Sequence, residues 1–532
     1  MSNKIFTLII FFVIYNFNIN AVSPFTDVAS SYKDLNKTDN KTIDFTVVNG
    51  KITKSVISTD ISTGSKVYPS TGTKKVLAIL LAYSDLAFSQ NSYIASNKKN
   101  INFMYASMGL FFIILIGIFI TKLGGKRGIY LNILQVFIIS SLITLAGCPV
   151  KEKEDPKPFN IYDKILNGSG MSFNKYYKDM SNNQLNVTFD FVGPYKASNT
   201  LSYYGANDGS GNDQNLSALI NEALNKAYSA GVNFANYDDG TGHLSFVIIH
   251  AGAGEEAYAA GVHPEYIWSC SGKASSGSID GLSFDRWAVV PEYFHTAGDS
   301  TIGVFCHEFG HMLGLPDLYD TEYTTKGVGN WSLMASGSWN GPNNGDYPAP
   351  LLAWEKKKLG WITVNDAISG SNTIGDIETS RTAFKVNLHG SGSTEQYYLI
   401  EKKVQSIGTW AQYLPGNGLL ITHVDENILA NTLNYNTVNS NSINVSNNYL
   451  HGVNIKEADN DNYLWDGSGS QTTDCFINKT LDNSSSPNTK YFSYSGLTYT
   501  SGIIQGTPSI SMASSNRIIV VNNDATSFNY TP

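Results

Sequence analysis

The chain has 532 residues, more than one hydrophobic core organises, so its length predicts about two to four domains. Only 15% of the residues are charged and the net charge is −8, which argues against nucleic acid as a main partner. Four cysteines in so long a chain are not a disulfide framework; one bridge is possible and none is needed.

In chain order, residues 1–21 read as a signal peptide. Lys4 gives the positive start, 5–14 the apolar core, and Ala21 the end before cleavage. The competing reading, a single anchor helix, suits so short an apolar run less well. Residues 22–73 are polar, with a few β-branched alternations, and read as a leader or pro-segment. The continuous apolar run 76–83 then predicts a buried strand, opening a catalytic domain over 74–362. Residues 101–120 and 128–148 carry no charge, and each is about long enough to span a bilayer. Lys122, Lys126 and Arg127 between them predict a cytoplasmic loop, so 101–148 reads as a membrane hairpin with both ends outside. Leu145-Ala146-Gly147-Cys148 also resembles a bacterial lipobox, in which lipid on Cys148 would anchor everything downstream. A rearranged reading frame and a pair of buried core helices are further readings of the same segment. A membrane or lipid anchor is therefore an expected partner.

Downstream, the periodicity predicts a helix at 171–180, a strand at 186–192, a helix at 216–230 and a strand at 244–249. Helices at 302–313 and 348–359 follow, the latter with Trp354 on its apolar face and Gly360 as its stop. Strands alternating with helices predict an α/β (α+β) catalytic domain. After Trp361 the pattern becomes short strands at 383–388, 396–400, 418–423, 452–455 and 518–521. This predicts an all-β, sandwich-like domain over 363–532.

The chemistry concentrates at 307–317, HEFGHMLGLPD. His307 and His311 fall on one helix face, where both can grip one ion, with Glu308 beside it. Gly314 permits a sharp turn that brings Asp317 round as a third ligand; Asp320 and Glu322 compete for that place. Three protein ligands and a water make the open tetrahedral site of a catalytic zinc. A single helical histidine is more often packed or exposed than ligating. Here, of nine histidines in the chain, two bracket a glutamate at ligand spacing. Met334, within 331–339 (WSLMASGSW), suits the Met-turn that floors the zinc in metzincin peptidases; alone it would read as ordinary core. Cys306 reads as a small buried thiol, and Cys270 with Cys475 as the pair for one bridge. Asp459 and Asp461, with Asn460 and Asp466, form a candidate calcium loop, against the plainer reading of a solvated loop.

The segments 307–320 (HEFGHMLGLPDLYD) and 327–341 (GVGNWSLMASGSWNG) resemble the immune inhibitor A family of secreted bacterial metalloproteases. Residues 75–85, 176–185 (YYKDMSNNQL), 250–257, 350–361 and 397–426 agree in order, so the resemblance covers roughly 75–90 and 158–530. It implies a metzincin-like zinc endopeptidase acting on proteins or peptides, exported to the extracellular space or cell envelope. It also implies that His307, His311 and Asp317 bind zinc and that Glu308 is the general base. Tyr319 is a candidate oxyanion donor, or a structural aromatic. The chain departs from the family at the hydrophobic insertion, and at 237–243 (YDDGTGH), where relatives have a longer Asp-rich loop that looks calcium-binding. The alternative function is a surface adhesion protein on a peptidase scaffold, with the C-terminal region as the working part. The intact Glu308 argues against it, since a purely structural site has no use for an unliganded base.

Overall fold

A computed structural model of the chain describes 42–48, 51–58, 68–89 and 159–532, apart from 210, 259–260, 273–277, 389–395, 441–449, 501 and 506. The expected signal peptide 1–21 and the expected membrane segment 101–148, Cys148 included, lie outside the described residues. No helix among the described residues is long and apolar enough to cross a membrane. The described residues up to 88 and from 163 onward belong to one compact unit; of the second, 89–162, only residue 89 and the first turn of the helix Phe159–Asn167 are described.

The region before Trp361 is built on a six-stranded sheet. Its main path runs Leu185–Lys196, Gly72–Ala82, His243–Ala253, Leu282–Tyr293, Cys270–Gly272. The first four strands are parallel, with Leu77 opposite Phe246 and Val247 opposite Ala288; Cys270–Gly272 closes the edge antiparallel. Val76 to Leu81 are all buried, as a parallel strand covered on both faces requires. The strand starts at Gly72, inside the stretch expected to be leader. That stretch also holds an antiparallel hairpin, Thr42–Val48 with Lys51–Ser58.

The helices Phe173–Met180, Leu216–Ser229 and Gly303–Met312 match the expected positions within a residue or two. The helix expected at 348–359 is shorter, Ala353–Lys358. Pro348 and Pro350 hold the residues before them extended, so helix begins only after Leu352. The strand Leu282–Tyr293 had no apolar signature, because Asp285, Arg286 and Pro291 interrupt it.

After Trp361 two sheets share a core. One runs Val453–Ile455, Gly418–Asp425, Gln396–Lys403, Thr382–Asn387, Thr363–Asp366; the other runs Gly370–Thr373, Ser527–Thr531, Ile518–Val521, Thr480–Leu481. Val386, Tyr398, Ile400 and Ile421 of the first pack with Leu481, Ile519, Val521 and Phe528 of the second. Two short helices, Ile377–Ser380 and Glu426–Thr432, interrupt the strands.

Candidate metal centre

The helix Gly303–Met312 is buried along its length except at His311. Phe309 anchors it, with its ring 5.0 Å from Tyr68, 5.1 Å from Phe173 and 5.0 Å from Tyr177. The Tyr177 hydroxyl donates to Cys306 O across 2.5 Å. Burial pushes the Cys306 thiol well above its ordinary range, so it is a packed thiol rather than a nucleophile. Cys270 and Cys475 are both buried, and no bridge joins them. The helix ends at Gly314, whose φ of +87° reverses the chain, and Leu315 N–H closes the turn onto Gly310 O at 3.0 Å.

That turn carries Asp317 back over the helix. Asp317 Oδ1 lies 3.0 Å from His307 Nε2 and 3.3 Å from His311 Nε2. Each imidazole is fixed from behind. His307 Nδ1 bonds Leu333 O at 2.9 Å and His311 Nδ1 bonds Leu315 O at 2.9 Å. A carbonyl only accepts, so Nδ1 carries the proton and Nε2 of the neutral ring turns a lone pair toward Asp317. Asp317 Oδ1 is enclosed and has no hydrogen bond of acceptable geometry. Two nitrogen lone pairs and a carboxylate oxygen converging on one point repel unless a cation lies among them. The donor set therefore fits a metal, and two imidazoles with one carboxylate suit zinc.

The competing acids are otherwise engaged. Asp320 accepts from the backbone N–H of Glu322, Thr324 and Thr325 and organises its own loop. Glu322 is exposed. Glu308 is 4% exposed, one residue along the helix from His307. Met334 is buried against Gly310, where a Cβ would stand 2.5 Å from the methionine sulfur. The glycine between the two histidines is thus what lets Met334 approach. Tyr319 is half-buried, its ring 6.4 Å from that of His307 and inclined by 29°.

Several residues of the centre were not visible in the sequence. Asn436 donates to Asp317 Oδ2 and accepts from Asp317 N–H, both at 2.6 Å. It sits in a left-handed conformation, φ +55°, which asparagine tolerates. Asn439 donates to Leu318 O at 2.8 Å. Ser332 Oγ donates to Glu355 at 2.8 Å and accepts from Met334 N–H at 3.0 Å, fixing the turn that holds Met334. No local spacing marks Asn436 or Asn439, because they arrive from a remote segment. At 237–243, Asp238 accepts from Gly240 and Gly242 N–H, and Asp239 pairs with Arg286, so that loop is closed on protein groups. Asp459 joins Glu457 and Asp474 in one cluster, while Asp461 accepts from Gln471 Nε2 at 2.8 Å.

Residues 159–362 match a family described as immune inhibitor A peptidase M6, catalytic domain. Over 216 residues the chain is 35% identical to the pre-pro-metalloprotease PrtV of Vibrio cholerae serotype O1, covering 36% of this chain and 23% of that one. Over 229 residues it is 28% identical to immune inhibitor A of Bacillus thuringiensis subsp. alesti, covering 35% of this chain and 31% of that one. The matched region thus spans less than a third of either relative.

Proposed function

Given that residues 159–362 carry an immune inhibitor A peptidase catalytic domain, we propose that the chain is an exported zinc endopeptidase that hydrolyses peptide bonds in proteins. The observation that carries this reading is the convergence of His307 Nε2, His311 Nε2 and Asp317 Oδ1, with Glu308 beside them and a metallopeptidase domain around them. Export rests on the signal-like 1–21 and on a relative named as a pre-pro-metalloprotease.

His307, His311 and Asp317 would hold the zinc, which supplies Lewis-acid polarisation of the scissile carbonyl and of the attacking water. Glu308 takes the proton of that water as its oxygen attacks the carbonyl carbon. It then delivers the proton to the leaving nitrogen, so the products are a carboxylic acid and an amine. The carbonyls of Leu333 and Leu315 fix the tautomer and rotation of the two imidazoles, and Asn436 fixes the carboxylate plane. Met334 fills the floor beneath Gly310 and completes a metzincin-like site. The Tyr319 hydroxyl is the candidate donor to the developing oxyanion. The adhesion alternative has no comparable support, since the matched region is a catalytic domain.

Removal of zinc tests the reading. Dialysis against a zinc chelator abolishes casein hydrolysis, and zinc, but not calcium, restores it. Undiminished hydrolysis by protein shown by atomic absorption to hold no zinc would sink it.

A further inference from the structure

A separate set of oxygen donors lies in the loop that follows the strand Val453–Ile455. One carboxylate oxygen from each of Glu457, Asp459 and Asp474 lies within 4.8 Å of the other two. Glu457 is 3% exposed and Asp474 is fully buried. Each uses one oxygen on protein donors. Glu457 Oε2 accepts from Leu464 N–H at 3.3 Å, and Asp474 Oδ2 from Trp331 Nε1 at 2.7 Å and Gln471 N–H at 2.9 Å. The remaining oxygens, Glu457 Oε1 and Asp474 Oδ1, are enclosed and receive no hydrogen bond. Asp459 is only half-buried and gives the cluster a side open to water.

Charge makes this arrangement costly as it stands. Neither these three carboxylates nor Asp461 takes part in a salt bridge among the described residues. Lys479 gives its ammonium to Ala458 O instead. Buried carboxylate oxygens that receive no hydrogen bond, such as Glu457 Oε1 and Asp474 Oδ1, are disfavoured without a cation.

We propose that Glu457, Asp459 and Asp474 bind a calcium ion, and that this ion fastens the 457–474 loop to the segment leading into Met334. All-oxygen, carboxylate-rich donors with an open side for water suit calcium. Ligands at roughly 2.3–2.6 Å from the ion stand up to about 5 Å apart, in keeping with the observed spread. The absence of nitrogen or sulfur from the set disfavours zinc. The fastening is read from the contacts. Besides the Trp331–Asp474 bond, Lys326 N–H donates to Leu464 O and Asn330 N–H to Ser470 Oγ, each at 2.8 Å. A Cβ on Gly329 would stand 2.7 Å from Leu464 Cδ2, so the loop lies directly on 326–331.

The test is calorimetric titration of the zinc-saturated full chain with calcium chloride, together with its thermal midpoint with and without calcium. The parent binds calcium and its midpoint rises with calcium concentration, as mass action requires. Asp459→Asn, at a half-exposed position, weakens binding by more than about tenfold. Glu457→Gln removes a buried charge, raising the calcium-free midpoint and losing the calcium-dependent rise. His307→Ala keeps the calcium response. A parent without any calcium-dependent rise overturns the proposal, as does a parental rise in both Asp459→Asn and Glu457→Gln. A response lost in His307→Ala but kept in Asp459→Asn also overturns it.

Discussion

At Asp317 the two carboxylate oxygens are used differently. Oδ2 is held by Asn436 at 2.6 Å, while Oδ1 faces the two imidazoles. A ligand fixed by such a partner binds metal more tightly, and losing the partner typically costs about 10–100-fold in affinity. Asn436→Gly keeps the left-handed backbone and removes the amide. Competition with a zinc chelator is expected to show affinity lower by about that factor; an unchanged constant would remove Asn436 from the account. The histidine pair was legible in the sequence because its geometry is local, set by the helical repeat. Asp317 was legible as one of three acids, and it stands apart because Asp320 spends its oxygens on Glu322, Thr324 and Thr325. Asn436 lies 119 residues from its partner, and nothing in the local pattern marks it.

Elements show the same division. The strand Gly72–Ala82 was legible from its unbroken apolar run, whereas Leu282–Tyr293 was hidden by Arg286, a buried charge paired with Asp239. The helix Ala353–Lys358 carries Glu355, which is fully buried beneath the Met334 turn and accepts from Ser332 Oγ and Leu352 N–H. Burial pushes its carboxyl up to about 7. A folded value above the unfolded one means that folding favours the protonated form. Its contribution is full below about 4.5 and is lost as pH rises through about 7, up to roughly 3 kcal/mol. Glu355→Gln cannot titrate. The stability of the parent relative to this variant should therefore fall between pH 5 and pH 8, read by thermal unfolding at both. An equal difference at the two pH values would contradict a buried, raised Glu355.

Across the whole molecule, the region after Trp361 clasps the catalytic one. Asn436 and Asn439 hold the Asp317 turn, Asp474 holds Trp331, and Trp410 Nε1 donates to Asp179 at 2.8 Å. The sequence marked a change of character at 361 but not this dependence, since no spacing rule links segments so far apart. A chain ended after residue 362, where the family match stops, is expected to lose zinc binding and casein hydrolysis together. A fully active 1–362 fragment would show that the clasp is dispensable. Glu308 is proposed to move the proton of an attacking water at a zinc site held by His307, His311 and Asp317. Zinc content and casein hydrolysis, measured on the same preparations of the parent and Glu308→Gln, test it most directly. Equal zinc and hydrolysis lower by about 10²–10⁴-fold are expected in the variant; a variant that cleaves casein as fast as the parent at the same zinc content would rule out this role for Glu308.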